Sequence, residues 1–205
     1  MALKTRQAEG SLLACDPSHR RRDCRRIRRR YRRCVATSLL ALSPRDRSGA
    51  LRVVIESPAG ARVKLKYAPD LGGFVLSRPL VLGVTYPFDW GFVPGTRAAD
   101  GDPVDAMVLL DVPTYPGVII PARPIALLAV EQKAKNGEGR QRNDRIVVEP
   151  LAARRGNGRL TKRMRQELEE FFLSATLLEG KEVVPLGWRG PEEADALVDR
   201  SRRRR

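Results

Sequence analysis

The densest concentration of potential chemistry is Asp100-Gly101-Asp102-Pro103-Val104-Asp105, which places three carboxylates within six residues. Glycine and proline bend such a segment, and the apolar run Ala106-Met107-Val108-Leu109-Leu110 directly after it pins one end to a core. Carboxylates held this close raise one another's pKa unless a cation sits between them. Mg²⁺ meets that need: it prefers carboxylate oxygens, keeps several waters and completes its octahedron with substrate phosphates. Asp, Gly and Pro are equally ordinary turn residues, so spacing alone leaves a solvated turn as open as a metal site. Lys64 and Arg78 add the point charge and the forked donor that phosphate oxygens take up. Either one alone is what a surface ordinarily carries.

Other chemistries are excluded by what the body of the chain lacks. All three cysteines (Cys15, Cys24, Cys34) and the single histidine, His19, lie before residue 50. Cys–His and Ser–His catalysis are therefore absent from the remainder, and so is most structural zinc. The cysteines form no paired CxxC pattern and leave one over, which argues against a disulfide framework and for a cytoplasmic location. The net charge of +15 suggests a nucleic-acid binder, but residues 1–50 carry +10 and Arg202 to Arg205 carry +4, leaving +1 for residues 51–201. Residues 1–50 therefore read as a basic, Arg-rich, disordered arm, and 201–205 as a basic tail. Such an arm can touch nucleic acid nonspecifically and with strong salt dependence; its composition also resembles an organellar targeting peptide. Val35 to Leu42 is far too short to span a bilayer, and no later run reaches that length, so no membrane partner is expected.

The elements that must position the acidic loop are mostly strands. Leu51 to Ile55 is a β-branched run, and Val63, Leu65 and Tyr67 alternate with Lys64 and Lys66. Pro69 to Gly73 marks a turn before Phe74-Val75-Leu76, and further strand-like runs are 106–112, 117–120, 125–130 and 146–148. Many short strands between Gly/Pro turns predict a small closed or partly closed barrel. Leu160, Met164, Leu168, Phe171 and Phe172 recur at helical spacing, with Gly180 as a stop; a second helix starts at Pro191 with Glu192 and Glu193 in its first turn. Both apolar stripes read as core packing without chemistry.

Several blocks together resemble a known family. Glu56-Ser57-Pro58, Lys64, Arg78, Tyr86-Pro87-Phe88-Asp89-Trp90-Gly91-Phe92 and the acidic hexapeptide lie within Val53 to Pro150, a stretch similar to the soluble, class I inorganic pyrophosphatases. Weaker similarity continues through Phe171-Phe172 and Gly180-Lys181 to Gly187-Trp188. The resemblance implies a mainly β fold with flanking helices: a five-stranded, OB-like closed barrel plus C-terminal helices over residues 51–200, in a homo-oligomer. It implies Mg²⁺-dependent hydrolysis of pyrophosphate, with Asp100, Asp102 and Asp105 ligating metal and Asp102 helping to deprotonate the attacking water. Lys64, Arg78, Trp90 and Arg145 would bind substrate, and Glu56 would support the site.

The chain also departs from the family's pattern. Lys66 stands where a glutamate is usual, Trp90 where a tyrosine is, and Ala175-Thr176 where a Tyr-Lys pair is. Two further metal-binding aspartates are expected near Glu131-Gln132 and near Asn143-Asp144-Arg145. Asp144 serves as the second if the alignment slips by one residue, and Arg145 then replaces the family's lysine. The thinned outer shell leaves an alternative open: a catalytically weak relative that acts on another phosphoanhydride or as a binding protein.

Overall fold

The computed structural model describes residues 38–134, 136–152 and 160–203. Expectations for the arm before Ser38, its cysteines and His19 included, lie outside the described residues. Among the described residues nine strands and two α-helices follow one another: β1 Leu51–Ser57, β2 Val63–Ala68, β3 Gly73–Pro79, β4 Asp89–Val93, β5 Val104–Val108, β6 Ile119–Lys133, β7 Arg140–Arg142, β8 Arg145–Pro150, α1 Lys162–Thr176, β9 Val184–Arg189 and α2 Pro191–Arg200.

Strands β1, β4, β5, β8 and β6 are hydrogen-bonded in that order, and β6 returns to β1 through Ile119–Ala122. The result is the closed five-stranded ring that the sequence and its resemblance predict. One side chain could not have been larger without opening it: a Cβ on Gly91 would lie 1.9 Å from the Val54 carbonyl oxygen, so only glycine lets β4 approach β1. Inside sit Leu51, Val53, Ile55, Val93, Val104, Ala106, Val108, Ile146 and Val148, closed at one end by Ala194, Leu197 and Val198 of α2. The opposite face of the ring buries Trp90, Met107, Leu128 and Val147 against Leu168, Phe172 and Ala175 of α1. Thr161 caps α1 by accepting the Met164 N–H at 3.1 Å.

β6 joins two expected strands into one of fifteen residues, with a register shift between Pro124 and Ala126. Proline cannot donate to a ladder, and the bulge absorbs that defect. β5 stops at Val108, short of the expected 112. The compact body begins at Ser38, ahead of the expected start at Leu51. Pro44 O accepts from Arg52 N–H at 2.8 Å, Leu40 O accepts from Gly95 N–H at 3.0 Å, and Arg45 pairs with Asp195 of α2 at 2.8 Å. At the other end Arg203 N–H donates to Gly95 O at 2.9 Å, so the tail's first residues are bound to the body as well. Among the described residues no helix is long and apolar enough to cross a membrane.

Candidate active site

The acidic loop is shaped by its own backbone and by Thr96. The buried Thr96 hydroxyl donates to Val93 O at 2.6 Å and accepts from Val104 N–H at 2.9 Å, closing the neck of the loop. Across it, Ala98 N–H donates to Asp102 O at 2.7 Å and Asp102 N–H to the Asp100 carboxylate at 3.1 Å. Gly101 at φ +87° makes the reversal that an L side chain resists. A second clamp places β4: the buried Asp89 carboxylate accepts Ala59 N–H at 2.8 Å and Thr114 N–H at 3.1 Å, and the Thr114 hydroxyl as well.

The loop faces a cleft of about 400 Å³, within the size range of small-ligand sites. Glu56, Lys64, Arg78, Trp90, Asp100, Asp102, Asp105 and Arg145 all line it, so residues spread over ninety positions converge there. Asp105 on β5 stands opposite Arg145 on β8 in a parallel register. Asp144 does not reach the cleft. Asn143 and Arg145 line it, whereas the Asp144 carboxylate between them accepts the Val130 N–H at 3.0 Å and Nε and Nη2 of Arg142 at 2.8–3.0 Å. Asp144 is thus a structural anchor for the β6–β7 hairpin. The cleft-facing neighbour is the amide of Asn143, which donates to the buried Gln132 at 3.1 Å.

Several lining residues were missed or given no role by the sequence. Lys66 places its ammonium 3.5 Å from the Asp102 carboxylate, a partner thirty-six residues away that no local pattern announces. Phe171, Phe172, Ala175 and Thr176 show that the α1 stripe is a cleft wall as well as core. The Arg145 guanidinium lies 4.9 Å over the Phe172 ring, and Trp90 meets the same ring edge-on at 5.5 Å. Lys181 holds Glu179 at 2.7 Å, and Arg78 pairs with Glu179 while donating to Ala175 O at 2.8 Å. Arg78 is thereby tied to the C-terminal end of α1.

Burial dominates the electrostatics. It pushes the Glu56 carboxyl up to about 7, against the Tyr67 N–H that it accepts at 2.8 Å. Burial also raises Asp105, with Asp100 and Asp102 adding to the rise and Arg145 and Lys64 opposing it. Lys64 is pushed down by burial, while Lys66 is raised because Asp102, Glu56 and Asp105 outweigh its own burial. Glu179 is lowered: burial would raise it, but Lys181, Arg78 and Lys64 prevail.

Two raised carboxyls in an all-oxygen donor set are what a hard divalent cation relieves. Among the described residues no three Asp, Glu, His or Cys side chains close on a point as a ready-made cage. An open arrangement suits Mg²⁺, which retains waters and shares its shell with phosphate oxygens. The donor chemistry fits a hard divalent cation.

Comparison with known proteins agrees. The family model described as inorganic pyrophosphatase matches residues 53–205. An inorganic pyrophosphatase of Nostoc sp. is 36% identical over 168 residues, covering 80% of this chain and 96% of that one. One of Thermus thermophilus is 37% identical over 147 residues, covering 70% and 83%. Among solved structures, the inorganic pyrophosphatase of Thermus thermophilus superposes with a TM-score of 0.71 at 30% identity, over 80% of this chain and 96% of that chain. That of Coxiella burnetii gives 0.69 at 28%, over 78% and 97%. With its closed ring, its acidic loop and its matched length, this chain belongs to the inorganic pyrophosphatase family.

Proposed function

We propose that the protein hydrolyses inorganic pyrophosphate to two phosphates, assisted by Mg²⁺ held at Asp100, Asp102 and Asp105. The observation that carries this reading is the convergence of the acidic loop with Lys64, Arg78 and Arg145 on one cleft. When bound, the divalent cation supplies Lewis-acid polarisation of the phosphoryl oxygens. The Asp102 carboxylate accepts a proton from the attacking water. Lys64 and Arg145 hold phosphate oxygens, and the Trp90 indole N–H, buried without a partner among the described residues, is a further donor. Arg78 fixes the α1 wall and presents its guanidinium to the cleft edge. Glu56 stiffens the floor through the Tyr67 backbone.

The alternative, a weak relative acting on another phosphoanhydride or as a binding protein, is favoured by two observations: the Gln132–Asn143 amide pair and the ammonium of Lys66 beside Asp102. A phosphate-release assay on protein beginning at Ser38 decides between them. Pyrophosphate turnover that stops in chelator and returns with excess Mg²⁺ supports the first reading. Binding of pyrophosphate without turnover supports the second, and turnover that persists in chelator refutes the metal-assisted mechanism. Homo-oligomerisation, nonspecific nucleic-acid contact through the basic arm and a cytoplasmic location belong to the same proposal, the last resting on unpatterned cysteines.

A further inference from the structure

A cleft whose carboxylates take divalent cations is expected to carry surplus negative charge. This one carries six basic side chains, Lys64, Lys66, Arg78, Arg145, Lys181 and Arg203, against four acidic ones, Glu56, Asp100, Asp102 and Asp105. Most of the basic groups have a structural explanation. Arg78 and Lys181 serve Glu179, Arg203 Nε donates to Thr96 O at 3.1 Å, and Arg145 lies in register with Asp105. Lys66 is different. It follows Lys64 by two residues on the same side of β2 and sets Nζ 3.5 Å from Asp102 Oδ2. Both side chains are nearly half exposed, at 47% and 44%, so the pair adds little to stability. What it adds is a unit positive charge fixed at the acidic loop.

We propose that Lys66 is a built-in counter-cation: its ammonium occupies the space at Asp102, so the cleft binds divalent ions more weakly and in smaller number than its carboxylates would otherwise allow. This rests on the reading of the cleft as a divalent-cation site. A doubly charged ion and an ammonium repel each other across one carboxylate. Either the lysine swings out on its flexible stem or the ion settles elsewhere in the cleft. Two neighbouring features point the same way. At Asn143 the wall offers a neutral amide already bonded to Gln132, not an anion. Among the described residues Arg145 Nε and Trp90 Nε1 are buried donors without partners, and an N–H donor takes an acceptor oxygen, not a metal. Positive charge that other carboxylate loops draw from solution is here partly supplied by the chain.

The test is a Mn²⁺ titration of the metal-free, full-length protein, with free Mn²⁺ read by electron paramagnetic resonance. Lys66→Met keeps the stem and drops the charge; Lys66→Gln repeats the neutralisation with a polar end; Lys66→Arg keeps the charge. Neutralising the lysine is expected to tighten Mn²⁺ binding about tenfold, the effect of one unit charge a few ångströms away in a solvent-like dielectric. It also raises the number of ions held at saturation, while Lys66→Arg stays near wild type. Isotherms of Lys66→Met and Lys66→Gln that superpose on wild type overturn the proposal, as does a protein that binds no Mn²⁺ with or without the lysine. The readout needs no turnover. A failure to hydrolyse pyrophosphate is therefore seen separately, in phosphate release.

Discussion

Glu56 offers the sharpest test of how the cleft is built. Its side chain is 8% exposed, and burial lifts its carboxyl from 4.5 to about 7. A carboxyl whose folded pKa lies above its unfolded one costs nothing in stability below the unfolded value. The cost grows between the two values and is complete above the folded one. A gap from 4.5 to about 7 corresponds to about 3 kcal/mol of destabilisation above neutrality. Glu56→Gln keeps the length and retains a carbonyl oxygen to accept the Tyr67 N–H, but it removes the titration. In chelator the variant is expected to be more stable than wild type by about 1 kcal/mol at pH 5 and about 3 kcal/mol at pH 8, measured by urea unfolding. Adding Mg²⁺ narrows the pH 8 gap, because an ion in the cleft stabilises the charged form of the native state. A gap that does not widen with pH, or a variant less stable at pH 8, refutes the argument that burial controls this carboxyl.

Two further outcomes follow from the same geometry. Asp102→Asn preserves shape but removes a base, so turnover falls by about a hundredfold or more with little change in melting temperature; Asp111→Asn, exposed and beyond β5, is nearly silent. Equal small effects at both positions mean that the loop is an ordinary turn, whereas loss of folding in Asp102→Asn assigns the carboxylate a structural role. Deleting residues 1–37 leaves cooperative unfolding and hydrolysis intact, since the compact body starts at Ser38. The deletion also weakens salt-sensitive retention on nucleic acid, because most of the basic arm is gone; loss of cooperative unfolding is the contrary result.

The parts legible in the sequence were those governed by local rules. The acidic hexapeptide, the alternation that lines up Lys64 and Lys66, and the helix opened by Pro191 all lie where the spacing puts them. β9 escaped notice because Pro185 and Gly187 interrupt its apolar residues, which only pairing with β6 makes a strand. β6 read as two strands because Pro121 and Pro124 punctuate it, and the bulge that reconciles them is a tertiary event. Asp144 was misplaced for a related reason. The phase of β8 depends on where the β6–β7 hairpin turns, and a shift of one residue exchanges the cleft face for the outer one. The Lys66–Asp102 contact and the Arg78–Glu179 pair join distant segments, so composition recorded the charges without their partners.

The parallel pairing of β5 with β8 has a consequence for synthesis. Asp105 through Val108 is completed on one side by β4, which precedes it in the chain. Its other edge waits for Arg145 through Val148, some forty residues later. During translation, Ala106-Met107-Val108 therefore stands as an unpaired, apolar strand edge, the kind of template on which chains aggregate. Asp105 and the charged loop before it sit beside that edge while it is open, where they repel a second copy of the same segment. The carboxylates of the acidic loop thus stand as gatekeepers beside the nascent ring until its last seam closes.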